Sequence, residues 1–218
     1  MISMSSRLFV ALLVAGQCLV TSAFAQWQQD SIPGRIGNLH SLFFTSDHVG
    51  FVIECDLVQS SWSSNSLSYT VDGGNSWQYT TGSELCPSSV FFVNNTTGYF
   101  ATRGSAIGAS GVRKTVNGGT TWSMADTTVG IASSFEAIAL YFIDEATGFA
   151  STSGAINKTT NGGKSWVSSF YAPASVISSI AFTSAQTGYA VGYDAPIILK
   201  TTDGGTTWNV ITQLYDLL

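Results

Sequence analysis

Four stretches of the chain decide its architecture: TVDGGNSW at 70–77, TVNGGTTW at 115–122, TTNGGKSW at 159–166 and TTDGGTTW at 201–208. Each opens on Thr, places Asp or Asn before a Gly-Gly pair and closes on Trp. The tryptophans follow one another at 45, 44 and 42 residues (122 − 77, 166 − 122, 208 − 166). Working outward, Phe44, Phe92, Phe142 and Phe182 each stand six residues before a glycine: Gly50, Gly98, Gly148 and Gly188. Every one of those glycines is followed by an aromatic: Phe51, Tyr99, Phe149 and Tyr189. Two landmarks in register four times make an internal repeat, in which one supersecondary unit stacks on the next.

Each repeat reads as four short strands. In the last, Ile177 to Thr183 is strand A, Tyr189 to Tyr193 strand B, Ile197 to Thr201 strand C and Thr207 to Ile211 strand D. Between C and D the Asp-Gly-Gly or Asn-Gly-Gly step supplies residues that tolerate positive φ, as a tight hairpin requires. A period in the forties with four strands per repeat matches one blade of a β-propeller. The expected fold is all-β: a propeller, or an open propeller fragment, of four four-stranded antiparallel blades over 39–85, 86–130, 131–174 and 175–218.

The residue types of the octad point to turn-building. Asp or Asn accepts hydrogen bonds from amides inside the turn, the Thr and Ser hydroxyls add local bonds, and the Trp buries a large apolar plate against the neighbouring blade. The structural residues expected are Asp72, Gly74 and Trp77; Asn117, Gly119 and Trp122; Asn161, Gly163 and Trp166; and Asp203, Gly205 and Trp208. Calcium ligation or acid–base work at the Asp position is disfavoured, because two of the four copies carry Asn and so no charge.

The pattern T-x-[DN]-G-G-x-[ST]-W resembles the Asp-box, or bacterial neuraminidase repeat, of sialidases, sortilin-type receptors and the photosystem II assembly and stability factor family. With Phe, Thr-Gly-Tyr and the KTTDGGTTW run at 200–208 in one unit, the chain is most similar to the last of these over residues 39 to 212. The resemblance implies the fold and a non-catalytic scaffold role. It does not carry over that family's arginine-rich partner patch, because only Arg35, Arg103 and Arg113 follow the expected leader.

That leader is the amino terminus: Arg7, an apolar run from Leu8 to Val14, and Ala23-Phe24-Ala25 with small residues where a signal peptidase reads. Residues 1–25 are expected to be removed, giving a secreted, periplasmic or cell-surface protein without membrane insertion. Gln17 before Cys18 argues against lipidation. Residues 26–38 form an amino-terminal strand and linker in which Trp27 looks like part of a D strand.

Lys+Arg 8 against Asp+Glu 13 gives a net charge of -5, with only 10% of residues charged. So few cations provide no footprint for nucleic acid. Loss of Arg7 and Cys18 leaves two cysteines, Cys55 and Cys86. An even pair in an exported chain is a disulfide candidate, closing about 30 residues and contributing roughly 3 to 4 kcal/mol in the chain-entropy model. The alternative is two separate buried thiols.

Because the strands alternate in direction, the B–C and D–A links share one end and the octads the other. Glycine-to-tryptophan spacings of 27, 24, 18 and 20 (77 − 50, 122 − 98, 166 − 148, 208 − 188) put the length variation after strand B. Variable loops on a regular frame are where specific contacts sit. Asp56, Trp62, Arg103 and Asp194 are the candidate binding face, for a protein or a cell-surface glycan. Trp62 either stacks on a sugar or peptide or folds back over its own loop, and Asp194 also suits a turn before Pro196.

No catalytic, cofactor or metal residues are expected. A sialidase of reduced size is the alternative function, but its arginine triad is not matched: Arg35 sits in Ile32-Pro33-Gly34-Arg35-Ile36, out of that family's order, and Arg113 lies on the strand leading into an octad. His40 and His48 are too few for a His-rich metal site. Four blades are the low limit for closure. The chain therefore reads as part of a longer propeller, as one that self-associates through open blade edges, or as a capped arc.

Overall fold

The computed structural model describes residues 38–55, 66–80, 86–103, 111–125 and 138–213, all within one compact unit, Ile32–Leu218. The leader, Trp27, Arg35, Asp56 and Trp62 lie outside the described residues. Fourteen strands and no helix are found among them, and every paired strand is antiparallel. Unit 1 is β1 (Asn38–Phe44), β2 (Gly50–Cys55), β3 (Ser66–Thr70) and β4 (Gln78–Thr80). Unit 2 is β5 (Cys86–Phe92), β6 (Gly98–Arg103), β7 (Gly111–Thr115) and β8 (Ser123–Met124). Each is a four-stranded sheet in sequence order.

Units 3 and 4 differ from four separate four-strand sheets. β9 (Leu140–Phe142), β10 (Gly148–Thr159), β11 (Val167–Phe182), β12 (Gly188–Tyr193), β13 (Ile197–Thr201) and β14 (Asn209–Gln213) form one six-stranded sheet. The reason is that short links keep the ladders continuous. The Gly162 amide donates to the Ala146 carbonyl at 2.8 Å, so the residues flanking β10 meet. Twelve extended residues would hold them about 40 Å apart. The chain therefore doubles back inside β10, where Gly154 has φ 89°. β11 likewise serves two units, pairing with β10 over Val167–Tyr171 and with β12 over Val176–Phe182.

The phenylalanine–glycine landmark is a cross-strand pair. Phe44, Phe92, Phe142 and Phe182 lie opposite Gly50, Gly98, Gly148 and Gly188 in the register. The ring lies over the glycine so closely that a Cβ on Gly98 would sit 2.6 Å from Phe92. Glycine inside a strand is normally a weakness. Here it admits an aromatic ring against the backbone.

The core lies between units. Phe51, Ile53 and Leu67 of unit 1 cluster with Val90, Phe92 and Phe100 of unit 2; the same sharing links unit 2 to unit 3 and unit 3 to unit 4. At the centre of each cluster, the aromatic after the glycine stacks on the next unit's phenylalanine: Phe51 on Phe92 at 4.5 Å, Tyr99 on Phe142 at 3.7 Å and Phe149 on Phe182 at 4.7 Å between centroids. Stacked pairs contribute about 0.5–1.5 kcal/mol beyond their buried area.

Hydrogen bonds join the same faces. A register shift recurs before Ser41, Ser89 and Ser179. The Ser41 hydroxyl accepts from the Val90 amide at 3.4 Å and that of Ser89 from the Leu140 amide at 3.2 Å. Unit 3 has Ala139 at the equivalent place, and there the Ser151 hydroxyl donates to the Ile177 carbonyl at 2.7 Å instead.

Candidate functional site

The octads form four matching hairpins. The opening Thr hydroxyl (Thr70, Thr115, Thr159, Thr201) accepts from the amide of the second glycine at 2.9–3.0 Å and from the amide of the Asp or Asn at 3.2–3.3 Å. It donates to the Asp or Asn side-chain oxygen at 2.7–3.0 Å. That oxygen also accepts from the amide of the Ser or Thr before the Trp, at 2.9–3.0 Å. Both glycines of every octad have positive φ, between 65° and 95°.

Asp and Asn interchange because the hydroxyl four residues on reverses its role. Ser76 and Thr207 donate to the second carboxylate oxygen of Asp72 and Asp203, both at 2.6 Å. Thr121 and Ser165 instead accept from the amide nitrogen of Asn117 and Asn161, at 2.9 and 2.8 Å. A hydroxyl can do either. The donors around Asp72, first the Ser76 hydroxyl and then the Ser76 amide and Thr70 hydroxyl, hold its carboxyl down at about 2. The same set from Thr207 and Thr201 holds Asp203 lower still.

Each hairpin is tied to the A–B turn of its own unit. The amides of Gly73, Gly118, Gly162 and Gly204 donate to the carbonyls of His48, Thr96, Ala146 and Gln186 at 2.8–2.9 Å. The tryptophans turn inward before they turn sideways: each meets the phenylalanine of its own strand A edge-on, Trp77 on Phe44, Trp122 on Phe92, Trp166 on Phe142 and Trp208 on Phe182, at 5.8–6.3 Å. Contact with the neighbouring unit comes second, as between Trp208 and Phe149 at 6.1 Å. The octad of unit 4 also runs further than its residue types suggest. Thr207 is engaged by Asp203, so strand D begins at Asn209.

The opposite end gathers the other candidates only in part. Cys55 closes β2 and Cys86 opens β5, opposite Arg103 at the end of β6. The three backbones reach the same end, while their side chains lie outside what is described. Asp194 sits in the turn between β12 and β13 with φ 68°, a left-handed conformation that Asp tolerates better than most residues. The Ser175 hydroxyl braces that turn at the Ala195 carbonyl, 2.7 Å away. Among the described residues no three His, Cys, Asp or Glu side chains gather as a metal group.

Three features have no signature in residue type alone. Glu54 is fully buried on β2 beside Cys55, at a place where the strand is buried on both faces. Ser41 and Ser89 gave no signal, since a serine in an apolar strand has no motif. Lys114 and Lys158 lie over Tyr99 and Phe149, 5.1 and 5.9 Å from the centroids, and reach the next unit's hairpin at the Gly162 carbonyl (3.4 Å) and the Thr206 hydroxyl (3.2 Å). Only the lysine directly before three of the four octads, with Tyr69 in its place before the first, could have exposed them.

Antiparallel repeat units stacked through aromatic faces define the class: an all-β protein of the β-propeller kind. Among solved structures the chain is similar to YCF48 from Cyanidioschyzon merolae (17% identity, TM-score 0.63, 85% of this chain and 59% of that one). It is also similar to the GH74 enzyme of Niastella koreensis (17%, 0.62, 80% and 30%) and to XC5397 from Xanthomonas campestris, a gluconolactonase (9%, 0.59, 80% and 60%). The chain spans about three fifths or less of the length of each. No family model matches the sequence, and no curated protein matches it.

Proposed function

We propose that the protein is an exported, non-enzymatic scaffold of four four-stranded blades that offers its loop end to a protein or a cell-surface glycan. The observation that supports this reading is the contrast between the two ends. At one end, the side-chain oxygens of the octads are engaged by their own hairpins. At the other, the link after strand B changes from 56–65 in unit 1 to 104–110 in unit 2 and 194–196 in unit 4. Trp62 and Asp56 belong to the first link, Arg103 borders the second, and Asp194 is in the last. An aromatic plate among hydroxyl and amide side chains suits a sugar ring or a peptide side chain.

The test is binding of the purified chain to glycan and peptide arrays, with Trp62→Ala beside it. Loss of tenfold or more in affinity for the captured ligand is expected, and unchanged binding across both arrays would remove the loop end from consideration. Neighbours of like fold include enzymes, so turnover is assayed directly. Hydrolysis of a fluorogenic sialoside, abolished by Arg103→Ala, would replace the scaffold reading with that of a small glycan hydrolase. Export is read by amino-terminal sequencing of the natural product, expected to begin at Gln26.

A further inference from the structure

Both Asn-Gly pairs of the sequence, Asn117-Gly118 and Asn161-Gly162, stand inside octads. In this dipeptide a side-chain amide is readily lost, because no side chain on the glycine obstructs its nitrogen. That nitrogen attacks the asparagine Cγ, the new N–Cγ bond closes a five-membered imide, and the Cγ–Nδ2 bond breaks. The amide nitrogen departs as ammonia, carrying the glycine N–H proton with it. Water then opens the imide at one carbonyl to give aspartate, or at the other to give isoaspartate, whose main chain is longer by one methylene.

The folded hairpin opposes this ring closure at both reacting groups. Asn117 Oδ1 accepts from the Thr115 hydroxyl and the Thr121 amide, and its Nδ2 donates to the Thr121 hydroxyl, all at 2.9 Å. The nucleophile is held too, since the Gly118 amide donates to the Thr96 carbonyl at 2.9 Å. Thr159, Ser165 and the Ala146 carbonyl hold Asn161 and Gly162 in the same way, at 2.8–3.0 Å. The imide nitrogen carries no hydrogen, and closing the ring swings the asparagine side chain back onto the main chain, so these bonds must break first. The reaction therefore runs through local opening of the hairpin.

The two hairpins are not held equally from outside. The Gly162 carbonyl accepts from the Tyr99 hydroxyl at 3.3 Å and from Lys114 Nζ at 3.4 Å, both reaching over from unit 2, and Gly162 is buried. Gly118 is only half-buried, and neither donor has a counterpart in unit 1. Phe51 stands in the place of Tyr99 and has no hydroxyl, while Tyr69 stands in the place of Lys114 and gives its hydroxyl to the Gln78 side chain at 2.9 Å. Among the described residues, a Cβ on Gly118 would meet only the Asn95 carbonyl oxygen of its own unit, at 3.0 Å. One on Gly162 would meet Lys114 Nζ at 3.1 Å and the Tyr99 hydroxyl at 3.5 Å as well as its own unit's Glu145 carbonyl.

We propose that Asn117 is a modification site, deamidated by its own Gly118 nitrogen with water as the only co-reactant, that Asn161 is shielded from the same reaction by unit 2, and that the aspartyl product returns to the same hairpin. The return follows from Asp72 and Asp203, which fill the equivalent place in units 1 and 4 and take a hydroxyl donor on the second carboxylate oxygen at 2.6 Å. Thr121 has only to turn its hydroxyl from acceptor to donor. The isoaspartyl product carries its carboxylate directly on Cα, and loses the side-chain methylene that brings the oxygen to Thr115 and Thr121.

The test is peptide mapping by mass spectrometry after the purified full chain has stood at mildly alkaline pH, both native and unfolded in urea. In urea the two asparagines are expected to react at similar rates, since each precedes Gly-Gly; in the native chain Asn161 is expected to lag Asn117 by about tenfold or more. Equal native rates, faster loss at Asn161, or no loss at Asn117 in the native chain would overturn the proposal. Lys114→Met and Tyr99→Phe each remove one donor from the Gly162 carbonyl, and each is expected to raise the ratio of the Asn161 rate to the Asn117 rate. An unchanged ratio in both variants overturns the shielding by unit 2. Asn117→Asp, made directly, is expected to keep the circular dichroism and the urea midpoint of the wild-type chain at neutral pH. A lowered midpoint overturns the return of the aspartyl product to the hairpin.

Discussion

At the scale of single residues, the octad shows how a charge can be structural and still optional. Asp72 and Asp203 are held below the ordinary carboxylate range by donors, so the unfolded chain takes up a proton near pH 4 before the folded hairpin does. Their contribution to stability is complete above about pH 4 and is lost as the pH falls through the folded value, whereas the Asn hairpins are indifferent. In an amide NMR titration, Ser76 is expected to move with a midpoint at about 2 and Thr207 lower still, with Thr121 and Ser165 flat. A Ser76 midpoint near 4 would remove the hydrogen-bond account. Thr159 is buried and its hydroxyl satisfies the Gly163 amide. Thr159→Val leaves that donor unpaired and is expected to cost about 1–3 kcal/mol in urea denaturation. That the octad caps a turn was legible from Thr, Asp and Gly types. The reversal of hydroxyl donation was not, because it depends on two side chains meeting across the turn.

At the scale of elements, the glycine that opens each B strand is a packing residue. Gly98→Ala would gain backbone propensity and still destabilise by about 1–3 kcal/mol, because the new Cβ stands 2.6 Å from the buried Phe92 ring. Adding Phe92→Leu is expected to cost less than the sum of the two single changes, the sign of a relieved clash in a double-mutant cycle. Strict additivity would mean that ring and glycine do not share the space. The six-residue spacing announced this pair, since a short turn brings the last residue of one strand opposite the first of the next. The continuous β10 and β11 were not announced. Whether two strands remain one hydrogen-bonded run depends on how tightly the chain folds back at Gly154 and passes Pro173, and the letters there are ordinary turn letters.

At the scale of the whole molecule, stability is carried by junctions, each buried core belonging to two units. In such arrays a unit with two neighbours outlasts a unit with one. Hydrogen exchange on this chain is therefore expected to leave amides of β6 and β10 most protected, with β1 and β14 exchanging earlier. Uniform protection would indicate that the units do not unfold from the ends.

The amino-acid sequence by itself determined the repeat, the strand-and-turn order within each unit and the chemistry of the octad, because all of these rest on neighbours within about a dozen positions. Tertiary structure alone decided that Trp turns first to its own unit's phenylalanine, that the serines of strand A reach the next unit, and which ring stacks on which across each junction. Those are contacts between residues 24 to 51 positions apart (166 − 142, 140 − 89). Nothing in the local letters of Tyr189 distinguishes it from the buried Tyr99. What packs on each ring does so: Phe142 covers Tyr99, whereas Tyr189 is 36% exposed.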